Sequence, residues 1–201
     1  MPSLTPPERI LALARKRGVL RLKDVTALGI HPEYVRRLVS AGRLMRTGRG
    51  LYVLAEADLT ESHSLVEAVR RVPDGIVCLL SALQFHRIGT QMPHQVWLAL
   101  SHKARLPRTD SSPLRIVRFS GTALRSGIEK HRIEGIDVRV YSPAKTVADC
   151  FKYRNKIGLD VALEALREGW RRRRFSMDEL WSYAKVCRVA NVMRPYLEGL
   201  P

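Results

Sequence analysis

Between Pro32 and Val53 the chain holds an amphipathic run that stops at Gly42, then two short apolar-bearing segments, Leu44 to Thr47 and Leu51 to Val53, around Gly48-Arg49-Gly50. The run predicts a helix from Pro32 to about Ala41 with glycine as its stop, and the segments after it predict a hairpin. Two more helices are expected upstream. Thr5-Pro6-Pro7-Glu8 is a capping box with proline in the first turn, and Ile10, Leu11 and Ala14 form a stripe behind it. Leu22 to Leu28 fits a second, short helix ending at Gly29. Two helices joined by a glycine-containing turn and followed by a basic hairpin are the order of a winged helix-turn-helix.

Helical periodicity then sorts the third helix. Val35, Leu38 and Val39 share one face, which leaves Glu33, Arg36, Arg37 and Ser40 on the other. A helix docked by its apolar side presents the arginine pair outward. A guanidinium there can bond guanine O6 and N7 together or clamp phosphates. Tyr34 lies near the helix N-terminus, where base-edge contacts usually fall. Arg46 and Arg49 flank the hairpin turn, as a wing gripping backbone or minor groove requires. The candidate DNA-binding residues are therefore Tyr34, Arg36, Arg37, Ser40, Arg43, Arg46 and Arg49. An amphipathic helix can also carry paired arginines simply as its wet face, and small three-helix modules also bind protein.

Charge points the same way. The chain carries 35 Lys+Arg against 19 Asp+Glu, a formal +16, and an anionic partner accounts for that better than a solvated surface. Residues 1–60 hold 11 Lys+Arg and 5 Asp+Glu. The 45% apolar content excludes a disordered chain. Cys78, Cys150 and Cys187 are odd in number and far apart, which excludes a disulfide scaffold and implies a reducing compartment. The opening MPSLTPPERI has no apolar core of a secretory signal, and the apolar stretch Ile76 to Leu83 falls far short of the roughly 20 residues that span a bilayer. A cytoplasmic protein without membrane contact is expected.

After the polar connector Glu56 to Ser64 the periodicity becomes mixed. Helices fit Leu65 to Val72 and Cys78 to Arg87, and strands fit Val96 to Leu100 and Leu114 to Phe119. Glu134-Gly135 turns into the alternating strand Ile136 to Val140. The last third reads as helices capped by Ser142-Pro143, running Leu159 to Trp170, and opened by Ser176-Met177-Asp178-Glu179. In that last helix Leu180, Trp181 and Ala184 line the inner face. The expected fold class is α+β, with a winged helix-turn-helix over 1–60 and a larger mixed domain with a helical C-terminus over 61–201. The two are expected to be separable, unless the helix from Leu65 packs on Ile10 and Leu11 as one core.

The stretch Tyr34-Val35-Arg36-Arg37-Leu38-Val39-Ser40-Ala41-Gly42-Arg43-Leu44-Met45-Arg46-Thr47-Gly48-Arg49-Gly50-Leu51-Tyr52 closely resembles the winged-helix domain of AbiEi-family antitoxins, of the abortive-infection type IV toxin–antitoxin systems. The resemblance continues more loosely through Cys78-Leu79-Leu80-Ser81-Ala82-Leu83, Val96-Trp97-Leu98-Ala99-Leu100 and Ser142-Pro143-Ala144-Lys145-Thr146-Val147-Ala148-Asp149-Cys150. It implies a repressor that binds its own operator as double-stranded DNA and opposes a nucleotidyltransferase-like toxin encoded beside it. Recognition positions carry over to Tyr34, Arg36 and Arg37, and wing positions to Arg46 and Arg49. The resemblance implies no catalytic residues, no cofactor and no metal.

The remaining motifs support that expectation. Val53 stands where Gly48-Arg49-Gly50 would need a third glycine to bind a dinucleotide, and neither a GxxxxGK[ST] loop nor a GxSxG elbow occurs. Histidines never pair as HxxxH, nor cysteines as CxxC, although His86, His94 and His102 are evenly spaced. The E-x-K, Q-x-K and D-x-K patterns of metal-dependent nucleases are absent. Arg171, Arg172, Arg173 and Arg174 form either a solvated helix end or a second anionic contact. Lys103 to Arg132 is also basic, with eight Lys+Arg against two acids. Aromatics are not interleaved with these charges, which disfavours a single-strand stacking platform. Two other classes stay open: a stand-alone regulator whose second domain dimerises or senses something, and an RNA-binding or nucleolytic protein.

Overall fold

The computed structural model describes residues 4–56, 61–105 and 114–200. The parts of the Glu56–Ser64 connector and of the basic Lys103–Arg132 segment that fall at 57–60 and 106–113 lie outside the described residues. The described chain divides into two compact units, one formed by residues up to 73 with 132–138, the other by the remainder.

In the first unit the order is α1 (Pro6–Arg17), β1 (Leu20–Arg21), α2 (Leu22–Thr26), α3 (Glu33–Ser40), β2 (Leu44–Gly48), β3 (Leu51–Leu54) and α4 (His63–Arg71). The α1 cap forms as its sequence requires: the Glu8 carboxylate accepts from the Thr5 N–H at 2.8 Å and its hydroxyl at 2.7 Å. Three strands make an antiparallel sheet in the order β1-β3-β2. Ile10, Leu11, Ala14, Val25, Val35, Leu38 and Leu44 close one core between the helices and this sheet. Helix, strand, two helices and a two-stranded wing are the layout of a winged helix-turn-helix, and the fold as a whole is α+β with a helical C-terminal region.

The second unit is built on β4 (Ile76–Val77), α5 (Leu79–His86), β5 (Val96–Ser101), β6 (Leu114–Phe119), α6 (Gly121–Arg125), β7 (Ile128–Ile133) and β8 (Ile136–Tyr141). It continues through α7 (Pro143–Lys152), α8 (Arg154–Ile157), α9 (Leu159–Arg171), α10 (Met177–Val186) and α11 (Ala190–Glu198). Its five strands run β6-β5-β4-β8-β7, with β5 parallel to β6, antiparallel to β4, and β4 parallel to β8. The tip of the β7–β8 hairpin, 132–138, belongs to the first unit. Helix α7 is the axis of the core, with every residue from Ala144 to Phe151 buried. A helix buried on all sides is normally apolar all round. This one instead encloses Lys145 and Asp149, one helical turn apart. The Lys145 ammonium sits 2.6 and 2.5 Å from the two Asp149 oxygens and 4.1 Å from the Tyr141 ring centre.

Candidate nucleic-acid interface

Helix α3 is held by its apolar edge. Val35 is 1% exposed and Leu38 8%, packed in the core with Ile10, Val25 and Leu44. Pro32 stands at its N-cap, and the His31 Nδ1 accepts from the Glu33 N–H at 3.2 Å. At the other end Gly42 takes φ +65°, its N–H bonding the Val39 carbonyl while the Arg43 N–H bonds that of Leu38. This is a Schellman stop, which L-residues with a β-carbon enter only at a cost. It turns the chain straight into β2.

The fixed rotation of α3 leaves Arg36, Arg37 and Ser40 exposed, with Arg43 exposed just past the helix end. Tyr34 is half-buried and packs against the core while its ring lies 5.9 Å from the Arg37 guanidinium carbon. Glu33 sits between the two arginines, 3.4 Å from Arg36 and 3.9 Å from Arg37. Pairs as exposed as these are worth little in water, so Glu33 orients the guanidiniums without consuming them.

The wing departs from a regular ladder. Arg46 pairs with Tyr52 and Gly48 with Leu51, with an irregularity between Arg46 and Gly48. Such a bulge twists a ribbon. Arg46 is exposed, with its Nε donating to the Gly48 carbonyl at 3.2 Å, and the exposed Arg49 lies in the turn itself rather than beside it. The candidate residues thus fall on two neighbouring segments of one unit, α3 with its C-terminal turn and the β2–β3 ribbon.

Other arginines of this unit are used inside the protein. Asp24, nearly buried, receives the Arg21 Nη2 at 2.9 Å and Nε at 3.1 Å and pairs with Arg17 at 3.0 Å. Burial raises its pKa, but the Arg21 and Arg17 bonds and charges outweigh that and hold the carboxyl below its ordinary value. Arg70 of α4 donates to the Arg17 carbonyl at 2.6 Å, at the C-terminal end of α1, and its own carbonyl accepts from Arg21 at 3.3 Å. Charge counting treats Arg17, Arg21 and Arg70 like Arg36. Only the spacing Arg21-x-x-Asp24 hints at the difference.

The arginine run of the second unit divides in two. The Arg174 N–H bonds the Gly169 carbonyl and the Arg173 N–H that of Trp170, with Arg173 at φ +51°. Arg172 binds the Glu168 carboxylate at 2.7 Å and the Arg87 carbonyl at 2.7 Å, and Arg174 binds the His86 carbonyl at 3.1 Å. These two close the carbonyl end of α5. The three spaced histidines do not converge: His86 is buried with its Nε2 2.7 Å from the Tyr141 carbonyl, and among the described residues no cluster of His, Cys, Asp and Glu could hold a metal. All three cysteines are buried and free. Among those residues no helix is long and apolar enough to cross a membrane.

The first unit therefore has the architecture of a winged helix-turn-helix. Residues 8–55 match the family described as "Transcriptional regulator, AbiEi antitoxin". A search of the curated proteins gives no match. Over its whole length the chain is similar in fold to the crystal structure of the RV2827C protein from Mycobacterium tuberculosis. The TM-score is 0.58 with 16% identity, covering 100% of this chain and 73% of that one.

Proposed function

We propose that this chain is a DNA-binding transcriptional repressor of the antitoxin kind, which binds double-stranded operator DNA at its own promoter and opposes a toxin encoded beside it. The observation that carries the reading is the exposed guanidinium set of α3 and the wing, Arg36, Arg37, Arg43 and Arg46, held internally by no more than the Glu33 carboxylate and the Gly48 carbonyl, on a module that matches a regulator family. In this reading α3 enters the major groove, with Arg36, Arg37 and Tyr34 at base edges and Ser40 near the backbone. Arg46 and Arg49 hold the adjacent phosphates or minor groove.

The toxin-opposing part rests on the family description together with the looser resemblance in the second half, and a nucleotidyltransferase-like toxin is the partner it implies. No step of this function requires a cofactor or a catalytic group. The test is a titration of the chain's own promoter fragment by fluorescence anisotropy, for wild type and for Arg36→Ala/Arg37→Ala. The double variant is expected to lose about 1–3 kcal/mol per base contact. Its fold should persist, because neither side chain enters the core. Unchanged affinity with an intact circular dichroism spectrum removes α3 from the interface. Rescue of growth on co-expression with the adjacent gene's product tests the antitoxin half separately.

A further inference from the structure

The second unit contains a cavity of about 1070 Å³ between α9, the turn after it, and the end of α11. Its floor is apolar and largely aromatic: Leu166, Trp170, Phe175 and Tyr196. Phe175 reaches this position because residue 169 is glycine. A β-carbon there would collide with the Phe175 ring, so α9 carries its least helix-favouring ordinary residue where the ring seats. Three arginines, Arg167, Arg171 and Arg173, line the same cavity.

These three differ from their neighbours. Arg172 and Arg174 are tied to backbone carbonyls of Arg87 and His86. Of the acids that share an adjoining cavity with Arg167 and Arg171, Glu164 accepts from the Thr90 hydroxyl, and Glu168 is engaged by Arg172 and by the Gly89 N–H and meets Arg171 only at 4.0 Å, on a side chain that is 76% exposed. Among the described residues no carboxylate pairs with Arg167 or Arg173. Arg173 moreover holds φ +51°, the αL position of the turn, where glycine is the low-cost residue. A charged side chain thus stands at a strained position on the rim of a largely apolar cavity.

We propose that this cavity binds a small amphiphilic anion, an apolar body with a carboxylate or phosphate head. The body fills the space over Trp170, Phe175 and Tyr196, and the head is held by Arg171 and Arg173 with Arg167 beside them. Size, an aromatic floor and a few converging polar groups are what small-molecule sites share. Guanidinium forks match carboxylate and phosphate geometry two bonds at a time. A neutral ligand would leave the cations unanswered, and a cation would be repelled. The assignment goes beyond the DNA reading and is independent of it, because binding is measured with neither DNA nor toxin present.

The experiment uses the full chain and three probes of equal length: decanoate, decanol and decyltrimethylammonium, below their micelle concentrations. Calorimetry and the tryptophan emission report binding, and thermal melting reports the fold. Decanoate is expected to bind saturably with one-to-one stoichiometry and raise the melting temperature, with decanol weaker and decyltrimethylammonium not saturating. Arg171→Ala/Arg173→Gly should weaken decanoate by about tenfold or more at an unlowered melting temperature, since glycine accepts the turn more readily than arginine. Arg172→Ala is the contrast: it should lower the melting temperature and leave decanoate affinity unchanged. If decanoate does not saturate, the cavity is not a small-anion site and its arginines are left to an acidic segment of a protein partner. Equal binding of all three probes, or unchanged decanoate affinity in the double variant, overturns the assignment as well.

Discussion

Replacing Lys145 by methionine, Asp149 by leucine, and both together should separate two ways in which a buried ion pair can matter. Both side chains are essentially inaccessible, at 0% and 1% exposure. The ammonium bonds both carboxylate oxygens, and the rest of it faces the rings of Tyr141 at 4.1 Å and Phe119 at 5.0 Å. The carboxylate also accepts from the Cys187 thiol at 3.2 Å. Neither charge can turn to water if its partner goes, so each single variant should lose about 3–5 kcal/mol. The double variant removes both charges and puts apolar groups of similar volume in their place. It should lie near wild type or above it, giving a coupling energy larger than either interaction would have at a surface.

Acid gives a second check. Burial pushes the Asp149 carboxyl above its ordinary value, against the pull of Lys145. In Lys145→Met that pull is gone and the native pKa rises further above the unfolded one. The variant's deficit relative to wild type should then grow only as pH rises past the raised pKa of the wild-type Asp149, where its carboxyl ionises and the variant's does not, and shrink on acidification. The assay is urea unfolding followed by tryptophan emission, which reports the second unit alone because Trp97, Trp170 and Trp181 all lie in it. Single variants that lose less than about 1 kcal/mol, or a double variant that loses the sum of the two, would show that the pair is not a coupled buried unit.

Burial also holds the His86 imidazole below its ordinary pKa, although its bond to the Tyr141 carbonyl and nearby Glu129 act the other way, with His131 and Arg174 adding to the depression. The unfolded chain therefore binds the proton first. Stability of the second unit should be full above about pH 6.5 and fall below it, and His86→Gln should flatten that fall in a pH series of urea midpoints. Asp24→Asn should cost the first unit about 1–3 kcal/mol in thermal melting of the full chain, and wild type should lose that same contribution as pH falls below about 3.9. Arg46→Ala/Arg49→Ala should weaken all DNA sequences alike and shallow the log–log salt slope by about one for each phosphate the wing no longer neutralises, while Arg17→Ala leaves the slope unchanged. Lost operator discrimination at constant slope would instead make the wing a reader of sequence.

The parts of the fold that are legible in the sequence are those where a local signal and the tertiary need coincide. The α1 box, the two faces of α3 and the hairpin after Gly42 each follow from spacing within ten residues. The strands β1 and β4 are not legible this way, because Leu20–Arg21 and Ile76–Val77 are two residues each and two residues have no period. Ile76–Val77 moreover runs into the apolar start of α5, so the stretch reads as one buried segment. Helix α11 hides behind Pro195, which ordinarily ends a helix rather than sitting six residues into one. The Lys145–Asp149 pair stands in the sequence as an i, i+4 charge pair flanked by Ala144, Val147, Ala148 and Phe151. Spacing alone gives such a pair to a solvated helix face, and only the packing of other elements on every side of α7 places it in the core.

The same point decides what a surplus of +16 means. Cations in a sequence are interchangeable, but in the fold they are answered unequally. In the first unit Arg17 and Arg21 are taken up by Asp24, and Arg70 by the carbonyl end of α1. These brace the helices that carry α3 and add nothing to a field outside the protein beyond their screened charge. Arg36, Arg37, Arg43 and Arg46 meet at most an exposed Glu33 or a neighbouring carbonyl, so an external phosphate can replace what they hold at little cost. The run Arg171 to Arg174 divides for a purely local reason. A Schellman turn reverses the chain within those four residues, so identical side chains emerge in different directions. Arg172 and Arg174 meet carbonyls at the end of α5, and Arg171 and Arg173 meet a cavity. Net charge therefore sets whether this protein attracts anions at all, and the distribution of internal acceptors sets which arginines remain to bind them.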